Sequence, residues 1–318
     1  MLGLALKAMD AFNHIKHKSN PLPVLYFHRV MPEPDPFCPD DWTADRFEEL
    51  IAGLKKYFSI LSLDSAMALL NNGTLPANAL CLSFDDGYAD NFEYAAPILQ
   101  NVGVNGCFFI ASEGTARGYL WNDKLAFILK KTQHKTLTFN ECTYDLTSLE
   151  KRADAYHALV AIIKIKKNDE RDKALVDIEE QLGAYTPPRC MMTDKQLITL
   201  QERGHTIGAH TVTHSILSYQ PDPIAKKEIE DSINDLNKFL PTPVNFFAYP
   251  NGWYGKDFTA KHENMLKQTS VQYGLATNDG GITTETPRTC LPRFMPYRKD
   301  FNQFCISIKK IAGETISE

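Results

Sequence analysis

Short apolar runs alternate along this chain with longer segments whose apolar residues recur every three or four positions. Continuous apolar runs are typical of buried strands, and longer amphipathic segments are typical of helices. The predicted strands are 23–27, 79–84, 105–110, 205–210, 244–249 and 274–277, and the predicted helices are 41–58, 91–101, 193–204, 224–240 and 258–268. This alternation predicts a largely parallel sheet with right-handed crossovers, either open or closed into a barrel.

Residues 120–192 interrupt the alternation and are rich in lysine and glutamate. A capping-box pattern at 147–150 predicts a helix that extends to about residue 167, and Asn168 can cap a second helix that ends near Leu182. We therefore expect a helical insertion between two strands of the main domain. It is either a purely structural excursion or a cap that shapes the substrate site or an oligomer contact, since long insertions often have a function.

Composition and charge limit the class of protein. The chain has 318 residues, of which 43% are hydrophobic, enough for one large α/β domain or two smaller ones. The formal net charge of −5 gives no electrostatic argument for a nucleic-acid partner. Seven scattered cysteines without a C-x-x-C pair fit a reducing compartment and argue against a disulfide framework or a cysteine-rich zinc module.

The N-terminal segment, residues 1–20, predicts an amphipathic helix with Leu2 and Phe12 on its apolar side and basic residues from Lys16 to Lys18 at its end. It lacks the features of a secretory signal, and no stretch of the sequence approaches the roughly 20 apolar residues of a membrane span. The helix either packs on the domain, 21–318, or acts as a weak anchor to a membrane surface. We expect a cytoplasmic protein, with the inner face of the membrane as the alternative location.

Two motifs place metal-binding side chains at predicted strand ends, namely Asp85-Asp86-Gly87 and His210 with His214. The turn at the glycine can bring both carboxylates to one site, and imidazoles four residues apart can reach one ion. Each motif alone also fits a structural role, as a capped turn or as a histidine pair. Together, at the carboxyl ends of parallel strands, they favour a divalent-metal site, and three protein ligands with water are the usual form of a catalytic zinc centre.

These residues resemble a known family. SFDDGYADN and HTVTH resemble the first two motifs of the polysaccharide deacetylases, the NodB-homology family also called carbohydrate esterase family four. PVLYFHRV, PILQNVGVNGCFFI and FAYPNG fit its bacterial branch, and the resemblance covers about residues 21–297 apart from the insertion. It implies a distorted (β/α) barrel of about seven parallel strands. It also implies a metal-dependent hydrolase that removes an N-acyl group, usually acetyl, from an amino sugar of a polysaccharide or glycan precursor.

The resemblance also implies residue roles. Asp86, His210 and His214 would bind the metal, most readily zinc, although the ligand types also suit cobalt, nickel, manganese or iron. Asp85 would be the general base that takes a proton from the attacking water. The third motif of the family corresponds to FAYPNG, residues 247–252. The backbone N–H of Asn251 in this motif would help to stabilise the oxyanion.

The chain departs from the family pattern in two places. Many members use a late histidine as general acid, and LPRFMPYR has none, but His28 matches the N-terminal position of a subset that acts on poly-N-acetylglucosamine. His28 could instead be a structural histidine at a strand end. The family arginine that orients the base is replaced by Ala248, and we expect Arg293 to take its role, with Arg29 as the alternative.

Aromatic residues beside the third motif are candidates for sugar contacts. We expect the substrate to be bound by Tyr249, Pro250, Trp253 and Tyr254, with Trp42, Tyr88 and Trp121 as further plausible walls. Core or loop packing is the alternative for each of these tyrosines and tryptophans other than Tyr249, because aromatic residues mostly serve burial. The absence of a G-x-S-x-G elbow favours metal-assisted attack over a covalent intermediate. Two alternatives stay open: a deformylase or cyclic-amide hydrolase of the same fold, and a catalytically silent glycan-binding protein.

Overall fold

The structure, a computed structural model, describes residues 1–17, 19–296, 298 and 300–314; Lys18 and Tyr297, named above, lie outside them. The strands are β1 (Val24–Phe27), β2 (Val30–Met31), β3 (Trp42–Thr43), β4 (Ser59–Ile60), β5 (Ala79–Phe84), β6 (Cys107–Ile110), β7 (Thr136–Phe139), β8 (Cys142–Asp145), β9 (Thr206–Ala209), β10 (Phe246–Ala248) and β11 (Tyr273–Leu275). The α-helices are α1 (Leu2–His17), α2 (Ala44–Leu54), α3 (Leu63–Asn71), α4 (Ala96–Asn101), α5 (Ser112–Arg117), α6 (Trp121–Lys131), α7 (Leu149–Ile163), α8 (Asn168–Leu182), α9 (Asp194–Glu202), α10 (Asp222–Asn237), α11 (Ala260–Leu266) and α12 (Phe301–Ala312). A π-helical turn, Asn91–Ala95, precedes α4, and a short 3-10 turn, Leu217–Tyr219, follows β9.

Within the described residues, the main sheet has seven strands, all paired in parallel. Six of them follow the order β1-β5-β6-β9-β10-β11, and β4 pairs with the start of β5. The segment 291–294 joins the two edges of this row, because Leu291 bridges to β11 and Phe294 bridges to β1. The sheet therefore curls into a distorted (β/α) barrel, which confirms the predicted fold class.

Stacked aromatic rings fix the three strands that lead to the candidate site. Phe27, Phe84 and Phe108 lie on β1, β5 and β6, with ring centroids 5.3 and 4.8 Å apart along the stack. All six residues of β5 are buried, as expected for a parallel strand covered on both faces. The carboxyl ends of these strands are thereby held at one edge, where their following residues can meet.

The insertion has an apolar core of its own, built mainly from α6, α7 and α8. The Ser148 hydroxyl accepts a hydrogen bond from Lys151 N at the start of α7, and α8 begins at Asn168. The antiparallel hairpin of β7 and β8 is absent from the sequence-based prediction. Its turn places Asn140 and Glu141 at positive φ, and glutamate is an unusual residue there, so the sequence lacks the expected turn signal.

Several shorter elements also differ from the predicted pattern. The predicted helix 41–58 contains β3 and then α2, which ends at Leu54, and the helices α3 and α12 are absent from the prediction. The predicted helix 193–204 corresponds to α9, where Thr193 and Gln196 form a capping box with reciprocal backbone and side-chain hydrogen bonds. The proposed division at residue 20 stays a prediction, although α1 is helical and packs on α12.

Candidate metal centre

Asp85 and Asp86 follow β5 and separate because the chain turns between them. Asp85 continues the strand pairing, since its N–H donates to the Phe27 carbonyl at 2.9 Å. Asp86 has a φ of 73° and Gly87 a φ of 95°, both in the left-handed region. Two neighbouring carboxylates thus reach different partners within one site.

Asp86, His210 and His214 form a compact group whose ligand atoms all lie within 4.8 Å of one another. The Asp86 Oδ1 atom is 3.5 Å from His210 Nε2 and 3.1 Å from His214 Nε2. Burial would raise the pKa of Asp86, but the nearby imidazoles hold that pKa well below its ordinary value of 3.8.

The protonation of His210 fits a metal ion. Its Nδ1 lies 2.7 Å from the Ala248 carbonyl, which can only accept, so Nδ1 carries a proton, and in the neutral imidazole the lone pair is on Nε2. This lone pair points toward Asp86 Oδ1, a buried atom with no hydrogen-bond partner among the described residues. Two imidazole nitrogens and one carboxylate oxygen that converge in this way are a donor set suited to a divalent cation.

The loop between the two histidines is held in an unusual backbone conformation. Thr211 and His214 have φ values of 63° and 56°. The Glu228 carboxylate accepts hydrogen bonds from Val212 N and Thr213 N, each at 2.9 Å. Such strain persists only where the surroundings fix it, so Glu228 positions the His214 side of the site.

Glu228 is a site residue that sequence reasoning missed, although a signal was present. It lies on the buried face of the amphipathic helix α10, where an unpaired acid would be costly. The insertion contacts the same loop: Asn168 Nδ2 donates to Glu228 at 2.8 Å, and Arg171 Nη1 donates to the Thr213 carbonyl at 3.2 Å. The start of α8 is therefore part of the support for the histidine loop.

Asp85 is paired with Arg293 in a buried bidentate contact. The Nη1–Oδ1 and Nη2–Oδ2 distances are 2.6 and 2.8 Å, and Arg293 Nη1 also donates to Ser83 Oγ at 3.3 Å. Burial would raise the pKa of Asp85, but the guanidinium and, next, His210 hold it below 3.8. The other candidate, Arg29, instead pairs with Asp90 at 2.7 Å.

His28 directly follows β1, and its ring is exposed beside Asp86 in a cavity of about 570 Å³. Trp42 and Tyr88 line this cavity, in agreement with their predicted position, whereas Trp121 is buried in the core of the insertion. The opposite wall belongs to α6 and α7 of the insertion. Its lining residues there are Asn122, Asp123, Ala126, Lys130, Tyr156, His157 and Val160.

The third motif divides into buried and exposed residues. Tyr249 is buried, with its ring stacked on Phe258 at 3.6 Å and its hydroxyl donating to the Thr289 carbonyl at 3.1 Å. Pro250 is also buried, so neither ring is open to a substrate, contrary to the expectation for these two residues. Trp253 is 49% exposed and Tyr254 is 38% exposed, but in the described part of the chain neither lines the cavity beside His28.

Asn251 is exposed and has a φ of 58°, at the turn that follows β10. Its carbonyl accepts a hydrogen bond from Thr277 Oγ1 at 2.6 Å, which fixes the orientation of the peptide group between Asn251 and Gly252. The turn is tight, because a Cβ on Gly252 would lie 2.9 Å from the Tyr249 carbonyl oxygen. The backbone of this motif is thus rigidly placed at the same edge of the sheet as the metal group.

A family comparison matches most of the barrel. The model of the family described as polysaccharide deacetylase matches residues 72–272, which is more than half of the chain. No curated protein matches the sequence significantly. Among the described residues, no helix has both the length and the apolar character needed to cross a membrane.

Solved structures of similar fold include several deacetylases. A Streptococcus pyogenes deacetylase, PplD, in complex with acetate is 17% identical with a TM-score of 0.62, covering 91% of this chain and 98% of that one. IcaB from Ammonifex degensii is 14% identical with a TM-score of 0.58, covering 92% and 98%. A polysaccharide deacetylase from Bacillus cereus is 14% identical with a TM-score of 0.56, covering 91% and 69%. At these identities the likeness shows a shared fold.

Proposed function

Because this chain belongs to the polysaccharide deacetylase family, we propose that it is a metal-dependent hydrolase that removes an N-acyl group, usually acetyl, from an amino sugar of a glycan. The observation that supports this most directly is the convergence of Asp86, His210 and His214 beside a second carboxylate, Asp85. A structural metal site would have no use for an ionised acid held next to it by a buried arginine. A hydrolytic site needs such a base.

Asp86, His210 and His214 would hold the ion, and zinc suits two neutral imidazoles and one carboxylate. When bound, the ion would polarise the acyl carbonyl and lower the pKa of a water molecule. The contact of His210 Nδ1 with the Ala248 carbonyl and the contact of Glu228 with the histidine loop keep both imidazoles oriented before the ion arrives.

Asp85 is the proposed general base. The bidentate contact with Arg293 fixes both oxygens of the carboxylate in position and favours the ionised form. An ionised carboxylate next to the metal ligands can accept the proton of the attacking water. The backbone N–H of Asn251 is the proposed donor to the carbonyl oxygen, which becomes the oxyanion when water adds to the acyl carbon.

The substrate would lie in the cavity between His28 and the insertion. The cavity volume of about 570 Å³ is within the range of small-molecule binding sites, and Tyr156, Lys130 and Asn122 place an aromatic ring and polar groups along one wall. The insertion therefore shapes the substrate site in this proposal. Trp253 and Tyr254 stay candidates for contact with a longer glycan, and Tyr249 and Pro250 are left out because they are buried.

His28 is the proposed general acid for the leaving amine, and its replacement tests this role. We expect His28→Ala to lower kcat by about a hundredfold, because a positioned acid typically contributes a factor of this order or more. Zinc content should not change, since the ligands are untouched. The matched control is His134→Ala, an exposed histidine of the insertion outside the cavity. An unchanged kcat, or a loss of zinc from His28→Ala, would contradict the assignment.

The overall function is tested by measuring the metal content of the purified protein together with acetate release from short N-acetylglucosamine oligomers. We expect bound metal and acetate release that stops on chelation and returns when zinc is added. If the protein binds metal but releases only formate, from N-formyl substrates, the result would contradict the deacetylase and support a deformylase of the same fold. Failure to bind metal after reconstitution would overturn the mechanism and support a glycan-binding protein.

A further inference from the structure

The outward face of α1 is apolar along its whole length. Leu4, Phe12 and Ile15 are 78%, 65% and 79% exposed, and Ala8 between them is also exposed. Residues 4, 8, 12 and 15 are spaced by three or four positions and so lie on one side of the helix. We call this set of four side chains the outer stripe.

The opposite face of α1 is fastened to α12, so the helix cannot rotate to bury the outer stripe. Leu6 is buried, and Asn13 Nδ2 donates to the Lys309 carbonyl at 2.9 Å. Asp10 forms an ion pair with Lys309 at 2.5 Å, and the lysine side chain is only 3% exposed. Breaking a buried ion pair strongly destabilises the folded protein, so this contact keeps the orientation of α1 fixed.

Apolar exposure is concentrated on this segment. Of the eleven large apolar side chains that are exposed in the described part of the chain, four belong to residues 1–17. A fifth, Ile306, is on the neighbouring helix α12, and the other six are scattered over the molecule. Single exposed apolar residues are ordinary, but a contiguous set indicates an interaction surface.

The charges around the outer stripe are mostly positive. At 100° per residue, Lys7 and Lys16 lie about 90° to either side of its centre. Both are exposed, and the Lys16 ammonium also donates one hydrogen bond to the Gly313 carbonyl at the end of α12, at 2.5 Å. Lys310 of α12 adds a further exposed cation, whereas the only acid of α1, Asp10, is neutralised by Lys309. Glu314, just past α12, is an exposed acid close to Lys310 along the chain.

We propose that α1 lies flat on a lipid surface with anionic head groups, with the outer stripe in the apolar boundary and Lys7 and Lys16 at the head groups. An apolar face flanked by lysines is the pattern of interfacial helices, and a helix of 16 residues with this charge lies on a membrane and does not span it. The proposal goes beyond the hydrolytic function and is independent of the metal site.

The test is co-sedimentation of the full chain with vesicles of phosphatidylcholine alone and of phosphatidylcholine mixed with phosphatidylglycerol. We expect binding that is stronger to the anionic vesicles and weaker at high salt. The triple variant Leu4→Ser, Phe12→Ser, Ile15→Ser should bind at least about tenfold more weakly. Lys7→Glu should weaken binding to the anionic vesicles selectively.

A matched control removes the same number of exposed apolar side chains from the insertion: Leu149→Ser, Ile165→Ser, Val176→Ser. It should bind vesicles like the unmodified chain, and zinc content and thermal unfolding should show that both triple variants are folded. Equal loss of binding in both triple variants would overturn the proposal, as would no binding to either vesicle. A dimer that is lost in the α1 variant, without vesicle binding, would make the outer stripe a self-association surface and also overturn it.

Discussion

Asp86→Ala is expected to abolish metal binding, whereas Asp85→Asn is expected to lower turnover steeply with the metal still bound. Asp86 supplies one of three ligand atoms, and the two imidazoles alone make a poor site. Asp85 contacts Arg293 and not the imidazoles, so its replacement removes the proposed base and leaves the ligands. Loss of a general base typically lowers kcat by about 10²- to 10⁴-fold.

These two neighbouring aspartates are each other's control, because they share a residue type, a turn and a buried position. The measurement is zinc per protein after dialysis against a weak chelator, followed by acetate release at saturating zinc. Stoichiometric zinc in Asp86→Ala would refute the ligand assignment. Full turnover in Asp85→Asn would refute the base, and circular dichroism of both variants would show whether they are folded.

The convergence of the candidate ligands could be predicted from the sequence because it depends on one simple rule. Residues that follow parallel strands lie at the same edge of the sheet, so Asp86 after β5 and His210 after β9 share one edge, and in the structure only β6 separates the two strands. The same rule placed His28 after β1. The histidine pair and the aspartate pair, each preceded by an apolar run, were enough to locate the candidate site.

The choice between Arg293 and Arg29 needed the structure. Arg29 is two residues beyond β1, near the site in sequence, yet it pairs with Asp90. Arg293 belongs to the irregular segment 291–294, which joins the edges of the barrel through isolated bridges. An irregular segment has no periodicity, so hydrophobic patterning cannot predict its place in the sheet.

The interpretation of Tyr249 as a substrate contact shows a second limit of sequence reasoning. Its position within the third motif suggested an open cleft, but its ring stacks on Phe258, nine residues further along the chain. Aromatic rings mostly serve burial, and neighbouring positions after a strand can face opposite ways. Proximity to a motif along the chain therefore predicts which edge a residue is on, but not whether its side chain is exposed.

Arg293→Met is expected to lower the free energy of unfolding of the metal-free protein by about 3–5 kcal/mol, because it leaves the Asp85 carboxylate buried without its partner. In the native chain Asp85 accepts two hydrogen bonds from the Arg293 guanidinium, and Arg293 is fully buried. The double variant Asp85→Asn, Arg293→Met should lose less than the sum of the single variants, as measured by urea unfolding. Additive losses would show that the two side chains act independently, contrary to the bidentate contact.

The contribution of Asp85 to the free energy of unfolding should change with pH in opposite directions in the Arg293→Met variant and in the native protein. In the native chain the pKa of Asp85 is lowered from 3.8, so its contribution to stability is fully present above that value and is lost only as the pH falls through the lowered pKa. Without Arg293, burial raises that pKa, so proton uptake stabilises the folded variant as the pH falls. The stability deficit of Arg293→Met should therefore be smaller at pH 5 than at pH 7. A deficit that is equal at both pH values would mean that lost packing around the guanidinium, and not an unpaired charge, causes the effect.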